Sequence, residues 1–188
     1  DDLGDILVKA DESWSAVNGA DNGKFSALLL APMKSDDDPE EETLSKNNSS
    51  IVSRMRIASG STADACSFLA GGDAEVAIWE KLWGRNGDDA DERLAYDLLL
   101  APHHCSWHSL SWYSWSKLGR KAKVSADARE ALGQARDGAI IVASSKTITD
   151  DDSDPPCIRA KEEYEDILAG VSGGEFGVVG KIEAYDPK

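Results

Sequence analysis

Residues 66–84 read CSFLAGGDAEVAIWEKLWG and residues 95–118 read AYDLLLAPHHCSWHSLSWYSWSKL. Each segment holds a short apolar run ending in residues that bind metals. Cys66–Ala70 leads into Gly71-Gly72-Asp73, and Asp97–Ala101 leads into Pro102-His103-His104. An apolar run of this length, bounded by Gly or Pro, has the character of a buried strand. Open α/β sheets bind ligands at the carboxyl ends of their strands, so Asp73 and the two histidines are expected to face one crevice. Carboxylate and neutral imidazole both ligate zinc and similar ions. One Asp and one His are too few for a catalytic zinc, which takes three protein ligands.

Outward from this stretch, the pattern alternates between strand and helix. Leu3–Ala10 predicts a first short strand, Trp14–Val17 alternates weakly, and Phe25–Ala31 (FSALLLA) predicts a buried strand closed by Pro32. Lys34–Asn48 is acidic and nearly devoid of apolar residues, which predicts a solvated loop. Ser50–Ala58 alternates Ile51, Ser53, Met55 and Ile57 against Val52, Arg54 and Arg56. That period of two predicts a half-buried strand, turned back by SGSTAD into Cys66–Ala70 as a hairpin. Val76, Ile78, Trp79, Leu82 and Trp83 predict an amphipathic helix over Ala74–Trp83, stopped by Gly84. Asn86–Glu92 reads as an acidic link and Ser106–Leu118 as a loose helix. Ala126–Arg136 reads as a helix capped by Ser125. Ala139–Ala143 predicts a strand, Thr147–Asp154 an acidic loop, and Ile158–Ala169 a helix opened by Pro155-Pro156 and stopped by Gly170. Phe176–Tyr185 predicts the last strand.

Composition excludes several classes. The chain has 188 residues, enough for one domain with a core, and a formal net charge of −15. That charge argues against a broad nucleic-acid-binding face, though not against a small site that handles phosphates through metal ions. No apolar run approaches the roughly 20 residues a membrane span needs, and the start carries no basic leader. Cys66, Cys105 and Cys157, odd in number and unevenly spaced, read as free thiols of a reducing, cytoplasmic compartment.

The order of motifs resembles the C-terminal half of a metallo-β-lactamase-superfamily hydrolase. The likeness is to the branch that includes the hydrolase domain of bacterial DNA-uptake (competence) proteins. Asn47-Asn48-Ser49-Ser50, Gly72-Asp73-Ala74-Glu75 and Pro102-His103-His104 carry it, in order along about 60 residues. The resemblance implies an α/β fold, in which residues 1–188 form half of an αββα sandwich, a mixed sheet with helices on its outer face. It implies two divalent metal ions, zinc or manganese, in the intact protein, and a phosphodiester or nucleic-acid substrate. Asp73 would be the catalytic, metal-bridging carboxylate. One histidine of His103-His104 would be the last ligand, with His103 favoured as the first after its strand. Two departures stand out. The family's His-x-His-x-Asp-His cluster is absent, since all three histidines lie between 103 and 108, and Cys105 stands where relatives usually carry Gly. The chain then reads as a fragment whose N-terminal half lies elsewhere, and which alone is inactive.

Other readings of the same residues stay open. Asp73 after two glycines also suits a helix cap, and Pro-His-His also suits a polar turn. His108 reads as a loop histidine. Cys105 would serve as a nucleophile only with a base and an oxyanion site. Trp107, Trp112 and Trp115 suit a base-stacking platform or simple packing. A non-catalytic scaffold of the same fold is the alternative function. The strands are apolar at nearly every position, as in sheets covered on both faces, whereas the helices suffice for one. The partner expected on the other face is the N-terminal half of the domain or a second copy.

Overall fold

A computed structural model describes residues 7–17, 19–21, 23–33 and 49–181. Residues 3–6 of the expected Leu3–Ala10 strand, all of the Lys34–Asn48 loop with its Asn47-Asn48, and residues 182–185 of the expected last strand lie outside the described residues. The chain is α/β, and its described residues form one mixed sheet of seven strands in the order β1-β2-β3-β4-β5-β6-β7. These are β1 Ser13–Trp14, β2 Phe25–Ala31, β3 Val52–Ser59, β4 Thr62–Ala70, β5 Tyr96–Leu100, β6 Ala135–Ala143 and β7 Glu175–Val178. Strands β1 to β4 pair antiparallel, and β4 to β7 pair parallel. The β3–β4 hairpin turns at Gly60, whose φ of 58° suits a residue without Cβ.

The parallel half is joined by helical crossovers. Helix α1 (Val76–Asn86) and the short α2 (Ala90–Arg93) link β4 to β5. Two further helices, α3 (Trp115–Leu118) and α4 (Ala126–Leu132), link β5 to β6, and α5 (Ile158–Ala169) links β6 to β7. Parallel crossovers are right-handed in nearly all proteins. The order β4-β5-β6-β7 never reverses direction, so that rule sends every crossover helix to the same side of the sheet.

Side-chain burial follows this topology. Across the helix side runs the row Leu28, Arg54, Leu69, Leu99, Ile141 and Phe176. Leu28, Leu69, Leu99 and Ile141 join Val76, Ile78, Trp79 and Leu82 of α1, Ala128, Ala131 and Leu132 of α4, and Tyr164, Ile167 and Leu168 of α5 in one core. Each such large side chain contributes roughly 1.5–3 kcal/mol of burial free energy. On the opposite side runs the row Ala27, Met55, Phe68, Leu98, Ile140 and Glu175, with Leu29, Ser53, Ala70, Leu100, Val142 and Gly177 beside it. Ala27 and Ser53 are buried, the others are half-buried or exposed, and none joins the helix-side cluster.

Strand β3 is inverted relative to ordinary amphipathic alternation. Arg54 points into the helix layer and is 1% exposed, whereas Ile57 on the other side is 49% exposed. Arg54 is satisfied there: Nε donates to the Ala95 carbonyl at 2.8 Å, Nη1 to the Glu92 carbonyl at 2.5 Å and Nη2 to Asp64 at 2.9 Å. Arg136 donates to the same Asp64 oxygen at 2.8 Å and to Asp97 at 3.1 Å, and Asp97 also accepts from the Ser67 N–H at 2.6 Å. Four charged groups thus clamp the amino ends of β4, β5 and β6 together.

Element boundaries depart from expectation in physically simple ways. Helix α1 begins two residues later than expected and runs through Gly84, since nothing crowds that position and the apolar face continues to Leu82. The acidic link continues helically through a 3-10 turn at Gly87–Asp89 into α2. Ser106–Leu118 is no single helix: Ser106 caps a 3-10 turn at Trp107–Ser109, and α3 begins only at Trp115. Ser125 does cap α4, accepting from the Ala128 N–H at 3.3 Å, but α4 ends at Leu132 and β6 begins at Ala135. Strand β7 stops at Val178 and gives way to a 3-10 turn at Val179–Lys181.

Candidate functional site

Asp73, His103 and His104 lie just past the carboxyl ends of the adjacent parallel strands β4 and β5. The turn after β4 is tight because Gly71 has no side chain. A Cβ there would sit 2.7 Å from Trp79 and 2.8 Å from Pro102, so the glycine lets α1 and the histidine turn close on each other. Gly71→Ala is expected to destabilise the fold by about 1–3 kcal/mol, the usual cost of overpacking, measured by chemical denaturation. A wild-type-like denaturation midpoint would contradict this close approach.

After β5 the backbone adopts a left-handed turn. His103, His104 and Cys105 have φ values of 48°, 55° and 67°. Left-handed conformation costs a non-glycine residue roughly 1–2 kcal/mol, and three such residues in succession need outside support. The His103 N–H donates to the Gly72 carbonyl at 2.8 Å, the Cys105 N–H donates to the Pro102 carbonyl at 3.0 Å, and the Cys105 carbonyl accepts from the Cys157 N–H at 2.9 Å. These bonds tie the turn to the β4 turn and to the start of α5.

The turn aims the two histidines differently. His104 Nε2 lies 3.6 Å from Asp73 Oδ1, beyond hydrogen-bond reach. Its Nδ1 lies 2.9 Å from the Ser144 carbonyl at the end of β6. A carbonyl oxygen only accepts, so Nδ1 donates, and the neutral ring turns its Nε2 lone pair towards the carboxylate. Two metal-binding acceptors therefore face each other. Their 3.6 Å separation is close to the ~3.3 Å edge of a tetrahedral zinc site with bonds of about 2.0–2.1 Å. An imidazole held through Nδ1 by a carbonyl is also the usual second support of a metal-bound histidine. His103 instead sits near α1, with Nδ1 buried and 3.7 Å from Glu75 Oε1.

Asp73 caps no helix. The residue before α1 is Glu75, and the carboxylate of Asp73 is half exposed. It is thus free for a ligand. As to completeness, no group of three or more His, Cys, Asp or Glu side chains able to hold a metal is present among the described residues. Asp73 and His104 fit as two donors and do not form a closed site.

The other candidates have structural roles. Cys105 is fully buried, and burial pushes its thiol well above the ordinary range, so the reactive thiolate is suppressed at neutral pH. That removes it as a nucleophile. Trp107 is buried with its ring edge-on to Trp115 at 5.6 Å, and Arg159 stacks over Trp115 at 4.8 Å, so this pair packs rather than offering a platform. Trp112 is exposed and donates to Glu80 at 2.8 Å. His108 lies 3.9 Å from Asp154, a carboxylate that holds the Ser106 hydroxyl at 2.7 Å and the Trp107 N–H at 3.0 Å. Ser144 was not singled out from the sequence; its role comes from its carbonyl, which any residue would supply.

No helix among the described residues is long and apolar enough to cross a membrane. No family model, curated protein or solved structure matches the chain.

Proposed function

We propose that this chain contributes half of the metal site of a binuclear, metal-dependent hydrolase that acts on phosphodiesters. What supports the reading is the opposition of Asp73 and His104 at 3.6 Å, with the histidine oriented by the Ser144 carbonyl. The left-handed Cys105 adds to it, because the related hydrolases usually carry Gly, the residue best suited to that φ, at this position. In such enzymes the metal pair supplies an activated hydroxide and steadies the leaving oxygen. This chain's part is to hold and orient. Asp73 would supply a carboxylate and His104 an imidazole already oriented by Ser144 to hold the ions. The remaining donors come from polypeptide outside the described residues, as the histidine cluster of the family's N-terminal half implies.

The test is zinc binding to the purified chain by equilibrium dialysis and calorimetry. Two donors give weak binding, with a dissociation constant expected well above 1 μM, on the order of 10–100 μM, since a closed site takes four ligands. Binding is expected to vanish in Asp73→Asn and in His104→Ala, and to persist in His103→Ala. Zinc binding indifferent to Asp73 and His104 would refute the reading. Phosphodiester cleavage by the intact protein that is unchanged after removal of metal ions would refute it as well.

A further inference from the structure

We infer that the loop between β5 and α4 carries a binding surface for single-stranded nucleic acid, built from the exposed rings of Trp112 and Tyr113 and the cations Lys117, Arg120, Lys121 and Lys123. The chain as a whole is acidic, with a net charge of −15, yet no Asp or Glu occurs from residue 98 to residue 126. Within that stretch four cations fall in residues 117–123. All four are exposed, and none makes an ion pair among the described residues. By contrast, Arg85, Arg93, Arg129, Arg136, Arg159 and Lys161 each meet a carboxylate. The loop therefore holds a local excess of positive charge that a polyanion neutralises. Trp112 is 59% and Tyr113 52% exposed, although tryptophan is among the more buried residues on average. Cations beside open aromatic rings are what single-strand binders use, the charge for phosphates and the rings for bases.

Hydrogen bonds hold these groups together. The Ser125 N–H donates to the Leu110 carbonyl at 2.8 Å, and the Ser111 hydroxyl donates to the Lys123 carbonyl at 2.7 Å. The two ends of the loop are therefore side by side, and the segment between them returns on itself. The Ser111 oxygen also accepts from the Tyr113 N–H at 3.1 Å. The indole of Trp112 is fixed in turn: its Nε1 donates to Glu80 at 2.8 Å, and the same Glu80 oxygen accepts from the Ser125 hydroxyl at 2.6 Å. A ring pinned at its N–H and otherwise largely open loses little freedom when a planar base stacks on it. Trp112 also reaches the rim of the sheet. With Glu75, His108 and Ser111 it lines a small notch, and Glu75 lies 3.7 Å from His103. A strand on the loop thus passes beside the rim that carries Asp73 and His104. Single strands are selected over duplex because only unpaired bases can stack on a side chain. An anionic membrane fits less well, since α3 has four residues, too few to lay an apolar face in lipid. As a path to that rim the surface rests on the hydrolase reading. As a binding site it is tested without metal or turnover, so zinc dialysis and strand binding fail separately.

Fluorescence anisotropy of a labelled oligothymidine, titrated with the 188-residue chain in buffer containing a chelator, decides it. The expected result is saturable binding that weakens roughly 50-fold as salt rises from about 50 to about 200 mM, the dependence of about four phosphate contacts to a single strand. Arg120→Glu/Lys121→Glu is expected to weaken binding at least about tenfold and to flatten the salt dependence. Trp112→Ala is expected to weaken it at least about fivefold with the salt dependence unchanged, as for the loss of one stacked base. A duplex of the same length is expected to bind at least about fivefold more weakly than the single strand. All three substituted positions are exposed. Should the charge reversal disturb the far-UV spectrum, Arg120→Gln/Lys121→Gln carries the same readout with a smaller shift. No binding up to about 100 μM chain, which is weaker than ordinary non-specific association, overturns the inference. So does binding indifferent to the folded variants, or duplex binding as tight as single-strand binding. Variants that alter only adsorption to phosphatidylserine vesicles overturn it in favour of a lipid surface.

Discussion

Arg54→Ala is expected to destabilise the protein by about 3–5 kcal/mol, the cost of breaking a buried ion pair from one side. The side chain is 1% exposed and fills three acceptors, the carbonyls of Ala95 and Glu92 and the carboxylate of Asp64. Removing it leaves two carbonyls without their donor and a void between β3 and the approach to β5. Arg54→Lys will not rescue it, because one ammonium cannot reproduce a planar fork reaching three partners. Denaturant titration measures the loss, and a change under 1 kcal/mol would show that the clamp is dispensable. The same cluster sets acid sensitivity. Burial opposes ionisation of Asp64, but hydrogen bonds and attraction from Arg136 and Arg54 outweigh it and hold the carboxyl below its ordinary value. A lowered folded-state pKa stabilises the fold fully above the unfolded value of about 3.9, and that contribution fades as pH falls through the lower folded value. Stability should therefore drop below about pH 4. Asp64→Asn should be less stable than wild type at neutral pH and lose less of its remaining stability on acidification.

If the chain belongs to a metal-dependent phosphodiesterase as proposed, Asp73→Asn is expected to abolish that activity in the intact protein while leaving the fold in place. The loss should reach about 10²–10³-fold, the scale seen when a group that stabilises the transition state directly is removed. Stability should change by less than about 0.5 kcal/mol, because the side chain is half exposed and caps no helix. Activity and denaturation measured on the same preparation separate the two effects. Near-normal turnover in Asp73→Asn would remove the carboxylate from the chemistry.

The strands and helices were readable where period and punctuation agreed. Phe25–Ala31 and Ile158–Ala169 stand as the sequence predicted them, and the core of each parallel strand was found even where its ends were not. Less could be read where an extra residue or a rare backbone intervened. The bulge between Ile57 and Ser59 shifts the register within the hairpin. Alternation in β3 revealed a strand, yet it could not tell which set of side chains faces the helices, because that depends on crossover handedness rather than on local pattern. The charged clamp joins residues 54, 64, 97 and 136, which no short window contains together. At the site, sequence spacing brought Asp73 and a His-His pair to one rim. Only the left-handed turn shows that His104, and not His103, faces Asp73.

Strand order in the sheet is strand order in the chain. Every strand therefore finds its pairing partner in the one synthesised just before it. The hairpin β3–β4 closes directly across the turn at Gly60, whereas β2–β3 and each parallel pair are joined by longer connections, which raises the entropy of closure. Assembly is expected to run from the amino end, with a nucleus in the antiparallel half and the parallel strands added in turn as the chain emerges from the ribosome. No early strand waits for a late one to be inserted beside it, so a stalled or shortened chain loses strands from one edge and keeps every pairing already made.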